Sequence, residues 1–147
     1  SYKNLSLRVL ANGVYGNDIA NGNLLQLATP EGISWSNITT AAYNNAWRPE
    51  RTSNSYPRIG YTTNGQIAMP DWIIEDGSFL RISNINLSYQ FDRINIYLSA
   101  QNLFTFTGYS GYNPEVTSFL YDGLRNGVDW NGQPSARKFT IGLNFNL

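Results

Sequence analysis

Residues 137–147 constrain the fold of this chain more than any other stretch; they read Arg-Lys-Phe-Thr-Ile-Gly-Leu-Asn-Phe-Asn-Leu. Apolar side chains stand at Phe139, Ile141, Leu143, Phe145 and Leu147, with Lys138, Thr140, Gly142, Asn144 and Asn146 between them. Successive residues of a strand point to opposite faces, so the five apolar groups share one face and the polar or small ones the other. A soluble sheet can carry such a pattern. A strand in a transmembrane barrel must carry it, because lipid lies on one side and a polar lumen on the other.

The alternation recurs in three more segments. Over about 2–15, Leu5, Leu7, Val9 and Ala11 alternate with Ser6, Arg8 and Asn12, and Gly13 and Gly16 signal a bend or a close backbone approach. Over about 71–91, Ile85, Leu87, Tyr89 and Phe91 alternate with Asn86, Ser88 and Gln90, but upstream Leu80 and Ile82 are apolar while Arg81 and Ser83 are polar. A one-residue slip exchanges the faces of a strand. The inversion therefore requires a bulge near Ser83-Asn84 or a strand that runs on beyond the membrane, and the second is the expectation. Over about 94–107, Ile94, Ile96, Leu98 and Ala100 oppose Asn95, Tyr97, Ser99 and Gln101, and only Asp92-Arg93 intervenes, the length of a two-residue hairpin turn. The fourth strand is 137–147.

Two long polar stretches, about 17–70 and 108–136, separate these strands. Structureless loops of that length are uncommon in compact soluble domains. Outer-membrane barrels alternate short periplasmic turns with longer extracellular loops, so the expectation is an all-β, antiparallel transmembrane β-barrel segment with long extracellular loops. If Asp92-Arg93 is periplasmic, the C-terminus lies on the periplasmic side as well. A short helix is expected over 39–46.

Composition removes several chemistries. Charged residues make up 14% of the chain and cancel, which leaves no basic footprint for nucleic acid. Polarity comes instead from amides and hydroxyls, with 19 Asn. There is no His and no Cys, so Ser-His-Asp and Cys-His catalysis and thiolate zinc sites are excluded. The neighbours Glu75 and Asp76 would point to opposite faces of a strand, and nothing favours a facing pair such as Glu115 with Asp122 at the 5–10 Å or so a glycosidase needs. Asp122-Gly123 and Asp129-Trp130-Asn131-Gly132 read as turns and lack the spaced oxygen ligands of a calcium loop. The chain is expected to be no enzyme and to hold no metal and no cofactor. No run of 18 apolar residues exists to make a transmembrane helix, whereas a membrane strand needs only about 9–11 alternating residues.

Arg8 and Arg81 fall on the faces assigned to the lumen or beyond the membrane; at the lipid midplane each would cost roughly 2–4 kcal/mol. Tyr15, Tyr89, Phe91, Phe104 and Phe106 lie near strand ends, where interfacial girdles form. Trp35, Trp47, Tyr112, Tyr121 and Trp130 are candidate loop contacts to a substrate or a lid protein. The competing role for each is self-packing of a long loop, which is the more common outcome for any single residue.

Several local motifs occur in one order: Tyr2-Lys3-Asn4-Leu5-Ser6-Leu7, Trp47-Arg48-Pro49-Glu50, Asn54-Ser55-Tyr56-Pro57-Arg58, the run from Glu75-Asp76-Gly77-Ser78 to Ile85, Asn102-Leu103-Phe104-Thr105, Gly111-Tyr112-Asn113-Pro114-Glu115, and the terminal strand. Together they resemble the C-terminal portion of a SusC/RagA-type TonB-dependent outer-membrane transporter. The Asp92-Arg93 turn is shorter than that family often shows, and Asn113 stands where Asp is common. The terminal strand also resembles the C-terminal insertion signal of bacterial outer-membrane proteins, through Thr140, Gly142, Phe145 and Leu147, with Leu147 in place of the usual aromatic.

The resemblance implies the last four strands of a roughly 22-stranded barrel with a plugged lumen, the plug and N-terminal parts lying outside this sequence. It implies TonB-driven import of glycans or peptides across the bacterial outer membrane. Its implied partners are the remainder of the barrel and plug, a SusD-like surface lipoprotein, TonB through the N-terminal parts, and the barrel-assembly machinery, with a dimer of transporter–lipoprotein pairs as one option. The competing reading is a soluble all-β carbohydrate-binding module. It accounts for the aromatics and Asn but not for the ordered motifs, the alternation of long loops with a tight turn, or the apolar terminus.

Overall fold

Asp92 and Arg93 reverse the chain between two long strands, β4 (Phe79–Phe91) and β5 (Ile94–Thr107), whose pairing starts at Phe91 opposite Ile94. Asp92 takes the left-handed backbone conformation a tight turn requires, φ 47°. β1 (Leu5–Val14) pairs with β4, and β7 (Lys138–Phe145) pairs with β5, all antiparallel, giving the order β1-β4-β5-β7. The computed structural model describes residues 2–28, 37–59, 70–116 and 127–145. They fall into two compact units, the first being this sheet.

The register aligns the alternating residues into rows. Leu7, Leu87, Leu98 and Ile141 stand opposite one another across the four strands; Leu5, Tyr89, Ile96 and Leu143 form the next row, and Val9, Ile85, Ala100 and Phe139 another. Opposed residues of an antiparallel pair share a face, so these rows make one continuous apolar face. It is uncovered: Leu7 is 60% exposed, Leu98 50% and Ile141 77%. The reverse face carries Arg8, Asn86, Ser99 and Thr140 in one row and Ser6, Ser88, Tyr97 and Gly142 in another.

The phase inversion upstream of Asn84 is a bulge. Ser83 is skipped between Leu10 opposite Asn84 and Ala11 opposite Ile82, and its hydroxyl donates to Asn12 Oδ1. On the other side, Asn102 takes φ 52° where the β4–β5 register shifts. Leu80 and Ile82 therefore stand opposite Phe106 and Phe104 and stay on the apolar face. Of the two explanations for the inversion, the bulge is therefore present, where a strand running on beyond the membrane was the expectation: the extra residue absorbs the change of phase. Beyond the bulge Gly13 lies so close to β4 that a Cβ there would sit 2.6 Å from the Phe79 carbonyl oxygen.

The second unit covers Asn17–Asp76 and Tyr109–Gln133. Within it β2 (Asp18–Asn21) is flanked by β3 (Ile74–Asp76), antiparallel, and β6 (Val128–Asp129), parallel. Two short helices follow, α1 (Gly22–Ala28) and α2 (Thr40–Asn45), the latter capped by the Thr39 hydroxyl, which accepts from Ala42 N at 3.1 Å. Ile19, Ile73, Ala42 and Ala46 are buried. A single strand over 71–91 is not what forms. Asp71–Ile73 make a 3-10 turn, β3 belongs to the small sheet, and Gly77-Ser78 separates it from β4. The start of the first strand also differs: Tyr2 and Leu5 bridge each other across a turn in which Lys3 has φ 50°.

Candidate functional site

The sheet presents two chemically opposite surfaces. On the polar one, Ser6, Arg8, Asn84, Asn86 and Ser88 line a groove of about 510 Å³. Amides and hydroxyls link neighbouring strands: Asn84 Nδ2 donates to Ser99 Oγ at 3.4 Å and Asn95 Nδ2 to Gln90 Oε1 at 3.1 Å. Arg81 lies on the polar side and is buried; its Nε donates to Thr105 Oγ1 at 3.0 Å, and its guanidinium sits 5.6 Å from the centre of the Phe79 ring. Both Arg8 and Arg81 thus stand off the apolar face. Phe104 and Phe106 are stacked at 6.4 Å and half exposed at one end of that face; Tyr89, Phe91 and Phe145 are exposed at the other. Tyr15 is 96% exposed just past β1.

Of the residues assigned to an insertion signal, Thr140 stands opposite Ser99 and Gly142 opposite Tyr97, both on the polar face. Phe145, opposite Ile94, is on the apolar face and 66% exposed. Leu147 lies outside the described residues. The Tyr97 ring lies across Gly142 and fills the space a Cβ there would need.

Of the loop aromatics, Trp35 and Tyr121 lie outside the described residues. Trp130 is half-buried and packs on Gly22, where a Cβ would overlap its ring. Trp47 is half-buried, with its backbone N–H donating to the Tyr56 carbonyl at 3.3 Å. Tyr112 is 74% exposed. Trp130 is therefore engaged in packing its own unit, while Tyr112 offers its ring to solvent.

The residues that organise the second unit are not the aromatics. Glu75, on β3, accepts at Oε1 from Asn21 Nδ2 (2.7 Å) and Ser110 Oγ (2.8 Å) and at Oε2 from Ser110 N (2.8 Å). Asn21 also caps α1, its Oδ1 accepting from Leu24 N at 3.0 Å. Asp129, 1% exposed, accepts from the Tyr109 hydroxyl at 2.6 Å and from Gly132 N at 3.0 Å. Burial first, and then the hydrogen bond and charge of Asp129, push the Tyr109 phenol well above its ordinary range, so it stays a donor. Two carboxylates from distant parts of the chain thereby collect the ends of three segments. Sequence reasoning assigned Asp129 and Glu75 to turns and strand faces. The local signal for Asp129 was its Asp-x-x-Gly spacing, which matches the turn it closes onto Gly132 N.

No family model matches the chain. Among curated proteins it is 30% identical, over 97% of its own length, to TonB-dependent receptor P3 of Formosa agariphila, of which it spans 15%. It is 32% identical, over 74% of its length, to the TonB-dependent receptor SusC of Bacteroides thetaiotaomicron, of which it spans 11%. The chain thus covers about a sixth or less of these relatives. Among solved structures, that of the RagAB peptide importer in its open-open state matches 97% of the chain with a TM-score of 0.76 at 24% identity, over 16% of the importer chain. The closed-closed state matches equally.

Proposed function

Since the chain belongs to the TonB-dependent receptor family, matching a short stretch of such a receptor over nearly all of its own length, we propose that it forms the last four strands of a roughly 22-stranded outer-membrane barrel that imports nutrients at the expense of TonB. The observation that carries this reading is the uncovered apolar face backed by a predominantly polar one, on which Leu10 is an exception. A soluble β-domain buries its apolar face; a barrel wall turns it to lipid. The dimensions agree. On β4 the apolar face runs from Leu80 to Phe91 with one residue taken up by the bulge. At roughly 3.4 Å per residue and a tilt of about 40° it spans about 26 Å of membrane, against an apolar band of about 25 Å. Aromatics at both ends fit the two girdles.

In this arrangement the Asp92-Arg93 turn and the end of β7 are periplasmic, and the second unit is the extracellular loop body. Its exposed Tyr112, with Trp47, meets the cargo or a SusD-like lipoprotein lid, as a RagB-like partner would in an importer of the RagAB kind. Glycan or peptide oligomers are the cargo. Thr140, Gly142, Phe145 and Leu147 serve the assembly machinery.

Fractionation of cells that make the full-length receptor tests the reading. The protein is expected in the outer membrane, with a folded form that migrates apart from its heat-denatured form; recovery from the soluble fraction would overturn it. Uptake is read by deletion: growth on peptide or glycan oligomers should fall and return only with a TonB-competent copy.

A further inference from the structure

The alternation that defines β7 determines which face is apolar but leaves its register open. Phe139, Ile141, Leu143 and Phe145 are spaced by two. Sliding β7 along β5 by two residues keeps every apolar group on the apolar face and every polar group on the other, and such degenerate strands are prone to slip. Something else must choose among the even registers.

We infer that Tyr97 and Gly142 make that choice, acting as a lock whose ring and notch fit in one register alone. In the native pairing Tyr97 stands opposite Gly142, and its ring occupies the volume where any other residue would carry a Cβ. A slip of two residues brings Thr140 or Asn144 opposite Tyr97, and each has side-chain atoms where the ring lies. Gly142 is the single glycine of β7, so no other even register offers the notch. The end of the ladder supplies a second stop. Pairing ceases at Gln101 opposite Lys138; the next residue, Asn102, leaves the extended conformation at φ 52° and its Nδ2 donates to the Ala136 carbonyl at 3.1 Å. Strand β7 cannot advance past that bulge without breaking this contact. Tyr97 and Asn102 are therefore positioning residues for the terminal strand, and the glycine of the proposed insertion signal is there to receive a ring.

The inference concerns strand register and rests on the membrane reading only for where the strand assembles. Its test uses the full-length receptor with cysteine pairs placed in this Cys-free stretch. Ser99→Cys with Thr140→Cys reports the native register, and Ser99→Cys with Lys138→Cys reports a slip of two. The wild-type background and Tyr97→Phe are expected to cross-link through the first pair alone. Tyr97→Ala is expected to raise the second product at least about tenfold. Gly142→Ala should lower the yield of assembled receptor, and adding Tyr97→Ala should restore it, with both registers then present. The lock is refuted if Tyr97→Ala leaves the slipped product at the wild-type level, or if Tyr97→Ala fails to rescue Gly142→Ala. A receptor found outside the membrane yet cross-linked in the native register would defeat the proposed function and leave the lock standing.

Discussion

The two units of this chain reach order by opposite means. The sheet has long, regular ladders and almost no side-chain core; its apolar residues are displayed, and its charges stand off the apolar rows. Among its described residues the second unit has three strands of two to four residues each and two short helices. It is held by two carboxylates surrounded by donors, the buried Asp129 and the half-buried Glu75. The sheet's order is periodic along each strand, although β1 joins β4 and β7 joins β5 from distant parts of the chain. The second unit's order is non-local and specific, and depends on a few hydrogen bonds to charged groups, each contributing about 1.5–3 kcal/mol.

Substitutions should separate these two modes. The largest effect is expected from Asp129→Ala, which leaves the Tyr109 hydroxyl and Gly132 N–H without their partner: about 3–5 kcal/mol of local stability in the second unit, read as faster amide exchange around Gly132 with the sheet unchanged. Next comes Leu98→Arg, on the apolar face in mid-strand, which should cost about 2–4 kcal/mol if that face meets lipid, while Ser99→Arg one residue on should cost less than about 1. Folding titrations of the full-length receptor into lipid compare the pair, and equal costs would erase the distinction between the faces. Phe145→Asp should impair assembly in the same direction, visible as lower surface levels.

Smaller still is Tyr109→Phe, at about 1–2 kcal/mol near neutral pH. The sign of its pH dependence follows from the raised phenol: the folded unit keeps a proton that the unfolded chain releases above about pH 10, so the contribution is complete below that pH and is lost as pH rises further. Amide exchange at Ser110 and Gly132 between pH 8 and 11 should steepen in the wild type relative to Tyr109→Phe. A parallel course in both would remove Tyr109 from the account.

The same contrast explains what could be read from the sequence. Period two over 94–101 and 139–145 places Ile96, Leu98, Ile141 and Leu143 on one face without any structure, and the two-residue gap at Asp92-Arg93 announces the hairpin. The inversion at Ser83 was visible, but a bulge and a departure from the membrane leave the same trace in one strand; the pairing of Ile82 with Ala11 and Phe104 is what shows the bulge. The second unit was illegible for a different reason. Asp18–Asn21 is too short to show a period, and its parallel partner β6 lies more than a hundred residues away. Glu75, Asn21 and Asp129 are residue types usually found in water, and the burial of Asn21 and Asp129 turns them into fixed hydrogen-bonding partners. The fit of Tyr97 to Gly142 depends on register, which alternation leaves open.

The central claim is that the apolar rows of the sheet face lipid. It is tested most directly by single spin labels at positions 94 to 101 of the full-length receptor in outer-membrane lipid, comparing collision with dissolved oxygen against collision with a water-soluble nickel complex. The account predicts a period of two, with oxygen favoured at 94, 96, 98 and 100 and the nickel complex at 95, 97, 99 and 101. Uniform accessibility along the strand, or the opposite phase, would contradict it.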